Sequence, residues 1–200
     1  MESSEETDSG SAAFATPLLM TKRLIIGVPS PRHADQIVAL ADNKRVAEMV
    51  ATMPHPYTLS DAEDWIALCR SGSARQEYRF AIFLRSNPDT LIGACGLAPL
   101  ERDRESHLGY WIGEPFWGNG YATEAAQTVV DYAFGATELD CISCACRVTN
   151  PASRRVIEKC GFQCRDMMMF HSLGAGGRVA AQRYTLDRKT WQSLKTWAAA

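Results

Sequence analysis

The chain of 200 residues contains no long apolar run. No segment approaches the roughly 18 consecutive apolar residues that a membrane-spanning helix requires. The N-terminal segment also lacks the positive start and apolar middle of a secretory signal. We therefore expect a cytoplasmic protein without a membrane partner.

Neither sign of charge is in excess, because 21 lysines and arginines face 23 aspartates and glutamates. A chain without a strong positive field has no general attraction for nucleic acid or for an anionic membrane surface. The expected partner is therefore small or only locally charged, and nucleic acid is not expected.

The seven cysteines are an odd number, which argues against a disulfide framework in a chain without an export signal. Four of them are spaced nearly as in a zinc ribbon: Cys141, Cys144, Cys160 and Cys164. The alternation of Cys144 and Cys146 with Ile142 and Val148 instead favours thiols packed in a core. We expect no metal, and a zinc-ribbon-like binding module remains an alternative.

Low complexity is confined to the first residues. Residues 1–16 are acidic, rich in serine and poor in large apolar side chains, so burial cannot offset the entropy of ordering them. We expect a disordered tail there and a single domain over residues 17–200. With 46% hydrophobic residues this domain can fill a core, and no repeat is visible.

The apolar spacing predicts alternating strands and helices. After the strand KRLIIGVP, one helical pattern covers residues 31–50, and Ser60 is the expected N-cap of a second helix. The strands RFAIFL and LIGACGLAP, with a turn at 87–89, and then SHLGYWIG suggest an antiparallel meander. A helix at 123–134, the strand DCISCACRV, the helix ASRRVIEKC and two late strands complete a mixed α/β sandwich.

Two glycines flank an asparagine in FWGNGYATEA, between a predicted strand and a predicted helix. Unpaired amides at the positive end of a helix favour a phosphate or pyrophosphate, and Gly118 and Gly120 permit close approach. The segment is no Walker sequence, because no Gly-Lys-Ser/Thr follows. The dinucleotide pattern would need a third glycine where Thr123 stands. Taken alone, the loop fits a plain tight turn equally well.

The order of strand GYWI, loop WGNGYA, helix, strand and NPASRRVIEKCGF resembles the GNAT superfamily of N-acetyltransferases, in particular its RimJ/RimL-type branch. The resemblance extends from RLIIGVP to RYTLDRKTW. It implies a central, twisted, mostly antiparallel sheet with splayed central strands and helices on both faces. It also implies acetyl-CoA as co-substrate, and an amine acceptor that is a small molecule or a protein N-terminus. A homodimer is a possible assembly.

The resemblance also implies which residues bind acetyl-CoA. The pyrophosphate would lie on the loop amides of Trp117, Gly118, Asn119, Gly120, Tyr121, Ala122 and Thr123. Asn150 and Ser153 occupy the Asn-x-x-Ser positions that contact the cofactor arm, and N-capping of the following helix is a compatible interpretation. A backbone amide near Ile112, where the central strand should bulge, would contact the thioester oxygen and the pantetheine arm.

The catalytic groups are less fixed by the resemblance. Many relatives carry a tyrosine as the acid where this chain has Ile157, so Ser153 or water could protonate the thiolate. His107 stands where this branch commonly has glutamate, and an imidazole of pKa near 6.5 can accept a proton. His107 could equally be a plain polar strand residue, and the competing bases are Glu101, Glu105 and His171.

Several other residues admit two interpretations. Aromatic side chains either line an acceptor site or pack in the core: Trp111, Phe116, Trp117 and Tyr121. Arg154 and Arg155 could pair with the cofactor's phosphates or be solvated. Because the usual tyrosine is missing, a catalytically silent acetyl-CoA sensor is a further alternative to an enzyme.

Overall fold

A computed structural model describes residues 17–71, 77–100 and 104–198. The segment 1–16, for which we expect disorder, lies outside these ranges, and so does the candidate base Glu101. None of the helices in the described ranges is both long and apolar enough to cross a bilayer.

Eight strands form one sheet, in the order β1-β2-β3-β4-β5-β6-β8-β7. Their bounds are β1 Leu19–Met20, β2 Leu24–Gly27, β3 Tyr78–Leu84, β4 Asn87–Pro99, β5 Glu105–Ile112, β6 Cys141–Arg147, β7 Gln163–Ser172 and β8 Gly177–Asp187. All neighbouring strands are antiparallel except β5 and β6, which are parallel. The predicted meander corresponds to β3, β4 and β5.

The parallel pairing of β5 with β6 is short. It joins Glu105–His107 to Cys141–Ser143, and the two strands then part. This confirms the expected splay of the central strands. The bulge expected near Ile112 was wrong, since the ladder between β4 and β5 keeps its register through Ile112. Register shifts occur instead between β3 and β4, on both sides of Phe83, and between β7 and β8, between Cys164 and Asp166.

Six α-helices accompany the sheet within the described residues. They are α1 Ala34–Ala41, α2 Lys44–Ala47, α3 Leu59–Arg70, α4 Tyr121–Ala136, α5 Pro151–Lys159 and α6 Arg188–Ala198. The single helical pattern over 31–50 is divided, because Asn43 is extended and caps α2 by accepting the Arg45 N–H. Helix α6 was not predicted, although Asp187 accepts the Thr190 N–H as a capping residue would.

Two local predictions were wrong. Thr58, not Ser60, caps α3, since Thr58 and Asp61 form a reciprocal capping box that starts the helix two residues earlier than predicted. The turn between β3 and β4 lies at residues 85–86, ahead of the predicted Asn-Pro-Asp. Pro88 is tolerated in β4 because β5 pairs with β4 only from Gly93 onwards.

The sheet carries helices on both faces, which confirms the predicted fold class. On one face, α4 and α5 bury Val129, Val130 and Ile157 against the central strands. On the other face, α1 and α3 bury Ile37 and Ile66 against β3 and β4. The gap between β5 and β6 therefore connects two separately packed sides of the molecule.

Candidate active site

A cleft of about 1050 Å³ opens where β5 and β6 part. On one face of the sheet its lining includes the start of α5 and the glycine loop before α4, of which Asn119 is not a lining residue. On the other face the lining includes Tyr57 and Trp65. A ligand could therefore enter from one face while a second molecule approaches from the other.

The backbone of β5 faces this gap at every second residue. The Leu100 N–H donates to the backbone carbonyl of Glu105 at 3.0 Å, and the Gly113 N–H donates to the backbone carbonyl of Ile92 at 2.8 Å. These bonds join β5 to β4. Because the pairing alternates along an antiparallel ladder, the peptide groups of Leu108, Tyr110 and Ile112 point away from β4, into the gap. The Ile112 carbonyl accepts the Trp117 indole N–H at 2.6 Å. The Ile112 N–H therefore also faces the gap.

The glycine loop leads into α4 through left-handed backbone. Gly118 and Gly120 have φ of 79° and 78°, values that L side chains rarely adopt. Gly120 is the N-cap, and its carbonyl accepts the first helical N–H, that of Glu124, at 3.1 Å. The preceding amides of the first turn have no partner within the helix, so they offer donors at the positive end of the dipole.

Two residues that sequence analysis missed hold this loop. The Arg23 Nε donates to Glu124 at 2.6 Å, and its Nη1 donates to the Asn119 carbonyl at 2.9 Å. Burial alone would raise the pKa of Glu124, but hydrogen bonds from Thr21 and Arg23 lower it. The side chain of Asn119 donates back to the Trp117 carbonyl at 3.0 Å. The loop is thus fixed before any ligand arrives.

Asn150 caps α5, which confirms the capping interpretation. Its Oδ1 accepts the Ser153 N–H at 3.0 Å. The hydroxyl of Tyr110 lies 2.8 Å from Ser153 Oγ and donates to the Ser153 carbonyl at 3.1 Å. Ile157, where many relatives have tyrosine, is buried in the core. Tyr110 was not predicted as a site residue, and its only signal was its place in GYWI.

His107 lines the cleft just where the pairing with β6 ends. Its Nδ1 lies 3.1 Å from Ser143 Oγ. Burial lowers the pKa of His107 below its usual value, so the imidazole is neutral at neutral pH. If Nδ1 carries the proton, Nε2 holds the lone pair that can accept one. Glu105 and His171 do not line the cleft.

The four aromatic candidates line the cleft: Trp111, Phe116, Trp117 and Tyr121. Trp111, Phe116 and Tyr121 also pack against the core, so both interpretations apply to them. Arg155 lines the cleft, whereas Arg154 forms an ion pair with Glu158 at 2.8 Å.

The acetyltransferase (GNAT) domain model matches residues 23–163, well over half of the chain. The chain belongs to the GNAT family of acetyltransferases. It is 30% identical over 151 residues to the N-acetyltransferase YoaA of Bacillus subtilis, covering 74% of this chain and 83% of YoaA. GNAT domains use acetyl-CoA, and the enzyme class predicted from the sequence is confirmed.

Two solved GNAT structures share the fold. RimL, the ribosomal L7/L12 α-N-protein acetyltransferase in complex with coenzyme A, has a TM-score of 0.72 at 16% identity, covering 86% of this chain and 98% of RimL. Spermidine N-acetyltransferase from Vibrio cholerae, with CoA and spermine, has a TM-score of 0.70 at 20% identity, covering 86% and 99%. These two structures show the shared fold, and the two proteins are named for different acceptors. The RimJ/RimL-type resemblance is confirmed by sequence, since the chain is 36% identical over 113 residues to the putative ribosomal N-acetyltransferase YdaF of Bacillus subtilis, covering 50% of this chain and 57% of YdaF.

The cysteines of this GNAT domain do not form the zinc-ribbon arrangement. Cys141 and Cys144 are three residues apart on β6 and therefore point to opposite faces of the sheet. Burial raises the pKa of Cys160 to about 12, which opposes the thiolate that zinc requires. Within the described residues no three potential ligands cluster. Cys144 and Cys146 are buried as predicted, but Val148 is exposed because β6 ends at Arg147.

Proposed function

We propose that this protein is an acetyl-CoA-dependent N-acetyltransferase that moves an acetyl group to a primary amine by direct attack on the thioester. The amine belongs to a small molecule or to a protein N-terminus. The observation that carries this proposal is one continuous cleft, which runs from the amides at the start of α4 through the gap beside β5 to the neutral His107.

The amides from Trp117 to Thr123 suit the pyrophosphate of acetyl-CoA. Fixed N–H donors and the positive end of a 16-residue helix attract an anion without further ordering of the loop. The gap-facing peptide groups of β5 suit the amides of the pantetheine arm, which can pair there as an added strand would. Ser153 and Asn150 border the same gap.

The reaction needs a neutral amine, a donor to the developing oxyanion and a proton for the thiolate. In this proposal His107 accepts the amine's proton, and the Ile112 N–H stabilises the oxyanion. Ser153, in contact with Tyr110, supplies a proton to the leaving thiolate. A thiolate of pKa near 8.5 demands little help from that acid.

The acceptor approaches on the face of the sheet covered by α1 and α3. Among the described residues that line the cleft, the carboxylates are Glu48 and Glu77, and each is paired with a cation. This arrangement supports an acceptor whose single charge is the reacting amine. It gives less support to a polyamine, which needs further carboxylates.

Release of CoA thiol, measured over a panel of amines, tests the function. The panel contains a peptide with a free N-terminus, spermidine, n-butylamine and a free amino acid. Acetyl-CoA at a hundred times its Kd should also stabilise the folded state by about 2.7 kcal/mol. Turnover with any amine supports an enzyme. Stabilisation without turnover would indicate a sensor, and absence of both effects would refute the proposal.

A further inference from the structure

Gly109 occupies the point at which β5 and β6 separate. The last residue of β5 that pairs with β6 is His107, so Gly109 lies just beyond it. Side chains alternate along a strand, and therefore His107, Gly109 and Trp111 share one face. Trp111 packs with the cluster below α1 and α3. Gly109 thus lies on the face opposite the glycine loop.

Packing does not explain why residue 109 is a glycine. A Cβ at Gly93 would lie 2.2 Å from the Trp111 carbonyl oxygen, and one at Gly96 would lie 2.3 Å from the Tyr78 carbonyl oxygen. Those two glycines are required by close backbone contacts. A Cβ at Gly109 would meet nothing within 4 Å, and its backbone is not left-handed. Gly109 is exposed to the cleft, so its missing side chain leaves empty space there.

The neighbours of Gly109 on this face are also small. Gly96 lies directly opposite on β4, with Ala94 and Ala98 opposite Trp111 and His107. On β6, Ala145 follows two residues after Ser143, the partner of His107, and so shares the face. These small residues all line the cleft. They make a strip of nearly bare backbone that runs from β4 across β5 to the gap, with Ala145 of β6 on the far side of the gap.

We propose that the acceptor amine reaches the thioester over Gly109, and that the enzyme selects amines carried on a slender group. This inference rests on the proposed function and adds the acceptor's shape. Bulk on the carbon next to the nitrogen would collide with the strip or with the flanking His107 and Trp111. In the transfer, the amine nitrogen bonds to the acetyl carbon, the bond from that carbon to sulfur breaks, and the CoA thiolate leaves. The proton of the amine passes to His107.

A thiol placed at this position tests the geometry without knowledge of the acceptor. In the Gly109→Cys variant the introduced thiolate should attack the thioester of added acetyl-CoA, forming a new sulfur–acetyl bond. The CoA thiolate then leaves and takes up the proton that the introduced thiol released. Gly135→Cys is the matched control, since Gly135 is an exposed glycine on α4 whose Cβ also meets nothing within 4 Å. Peptide mass spectrometry should find acetylation at position 109 at least about ten-fold faster than at position 135.

A second variant, Gly109→Val, places a side chain where the acceptor amine would pass over Gly109. Gly109→Val should retain its melting temperature and its affinity for acetyl-CoA, because valine suits a strand and the site has room for it. The variant should lower kcat/KM for the best amine of the panel by about ten-fold or more. Gly135→Ala should keep wild-type turnover. Wild-type protein should also prefer n-butylamine to sec-butylamine by about ten-fold.

These experiments can refute the role of Gly109 without refuting the proposed acetyltransferase function. Equal acetylation of the two introduced thiols would overturn it, as would wild-type turnover in Gly109→Val. Loss of acetyl-CoA binding in Gly109→Val also contradicts it, since the residue would then serve the donor. Equal rates with the two butylamines, or none with either, refute the selection for slender amines. Failure of wild-type protein to bind acetyl-CoA would instead refute the proposed function.

Discussion

The hydroxyl oxygens of Tyr110 and Ser153 lie 2.8 Å apart, joining the middle of β5 to the first turn of α5. The residues are 43 positions apart in the sequence, and both line the cleft. Burial raises the pKa of Tyr110 well above its usual value, so the phenol keeps its proton at neutral pH. Two hydroxyl protons therefore lie side by side in the cleft, where the proposed mechanism places the leaving thiolate.

Removal of the phenol should slow the chemical step. We expect Tyr110→Phe to lower kcat by about ten-fold while KM for acetyl-CoA changes little, because the ring still packs in the core. Ser153→Ala should cause a loss of similar size. If the two hydroxyls act as a unit, the double variant should be no worse than either single variant. Additive losses in steady-state kinetics would contradict this.

Substitution of Gly120 should separate backbone strain from access to the amides. Gly120→Val forces a β-branched residue into φ of 78°, so it should destabilise the fold by about 1–3 kcal/mol and weaken acetyl-CoA binding. Gly120→Asn tolerates that φ and should keep most stability while still crowding the loop. Calorimetry and thermal melting check both variants. Acetyl-CoA affinity at the wild-type level in Gly120→Asn would argue against the loop as the pyrophosphate site.

Turnover should depend on neutral His107. Burial lowers the pKa of His107, so the imidazole becomes protonated only at a pH below the usual histidine pKa. The acidic limb of the plot of kcat against pH should therefore lie below about pH 6.5. His107→Ala should reduce kcat by about ten- to ten-thousand-fold with little change in acetyl-CoA affinity. His107→Glu should recover part of the rate and move the acidic limb downward.

The control for this pair is His171→Ala, because His171 is exposed and does not line the cleft. It should leave the pH profile of kcat unchanged. Full kcat in His107→Ala would show that another group, or water, accepts the proton.

Protein purified without chelator should contain no stoichiometric zinc. Cys141 and Cys144 point to opposite faces of β6, and burial raises the pKa of Cys144 as well as that of Cys160. A thiolate tetrad is therefore opposed by both geometry and protonation. Elemental analysis measures this directly, and one tightly held zinc per chain would restore the binding-module alternative.

Sequence analysis interpreted some local signals correctly and others, such as the Ser60 cap, wrongly. The bare loop at Gly118 and Gly120 and the cap at Asn150 are short-range patterns, and both are found in the structure. The contact between Arg23 and Glu124 joins residues 101 positions apart, and no periodicity predicts such a pair. The sequence also could not show that a side chain would collide with the backbone at Gly96 but would have free space at Gly109. That difference depends on how close the neighbouring strands lie.

The brief pairing of β5 with β6 also divides the sheet mechanically. Three residue pairs join these strands, whereas seven join β4 to β5 and seven join β6 to β8. Among the described residues, several side-chain contacts brace the rest of this seam: Tyr110 with Ser153, Arg147 with the Glu48 carbonyl at 2.6 Å, and Ser172 with the Val50 carbonyl at 3.1 Å. A bound molecule that pairs with β5 would act as a further brace. Amide hydrogen exchange along β5 and β6 should then slow when the cleft is filled, which makes the seam a reporter of occupancy.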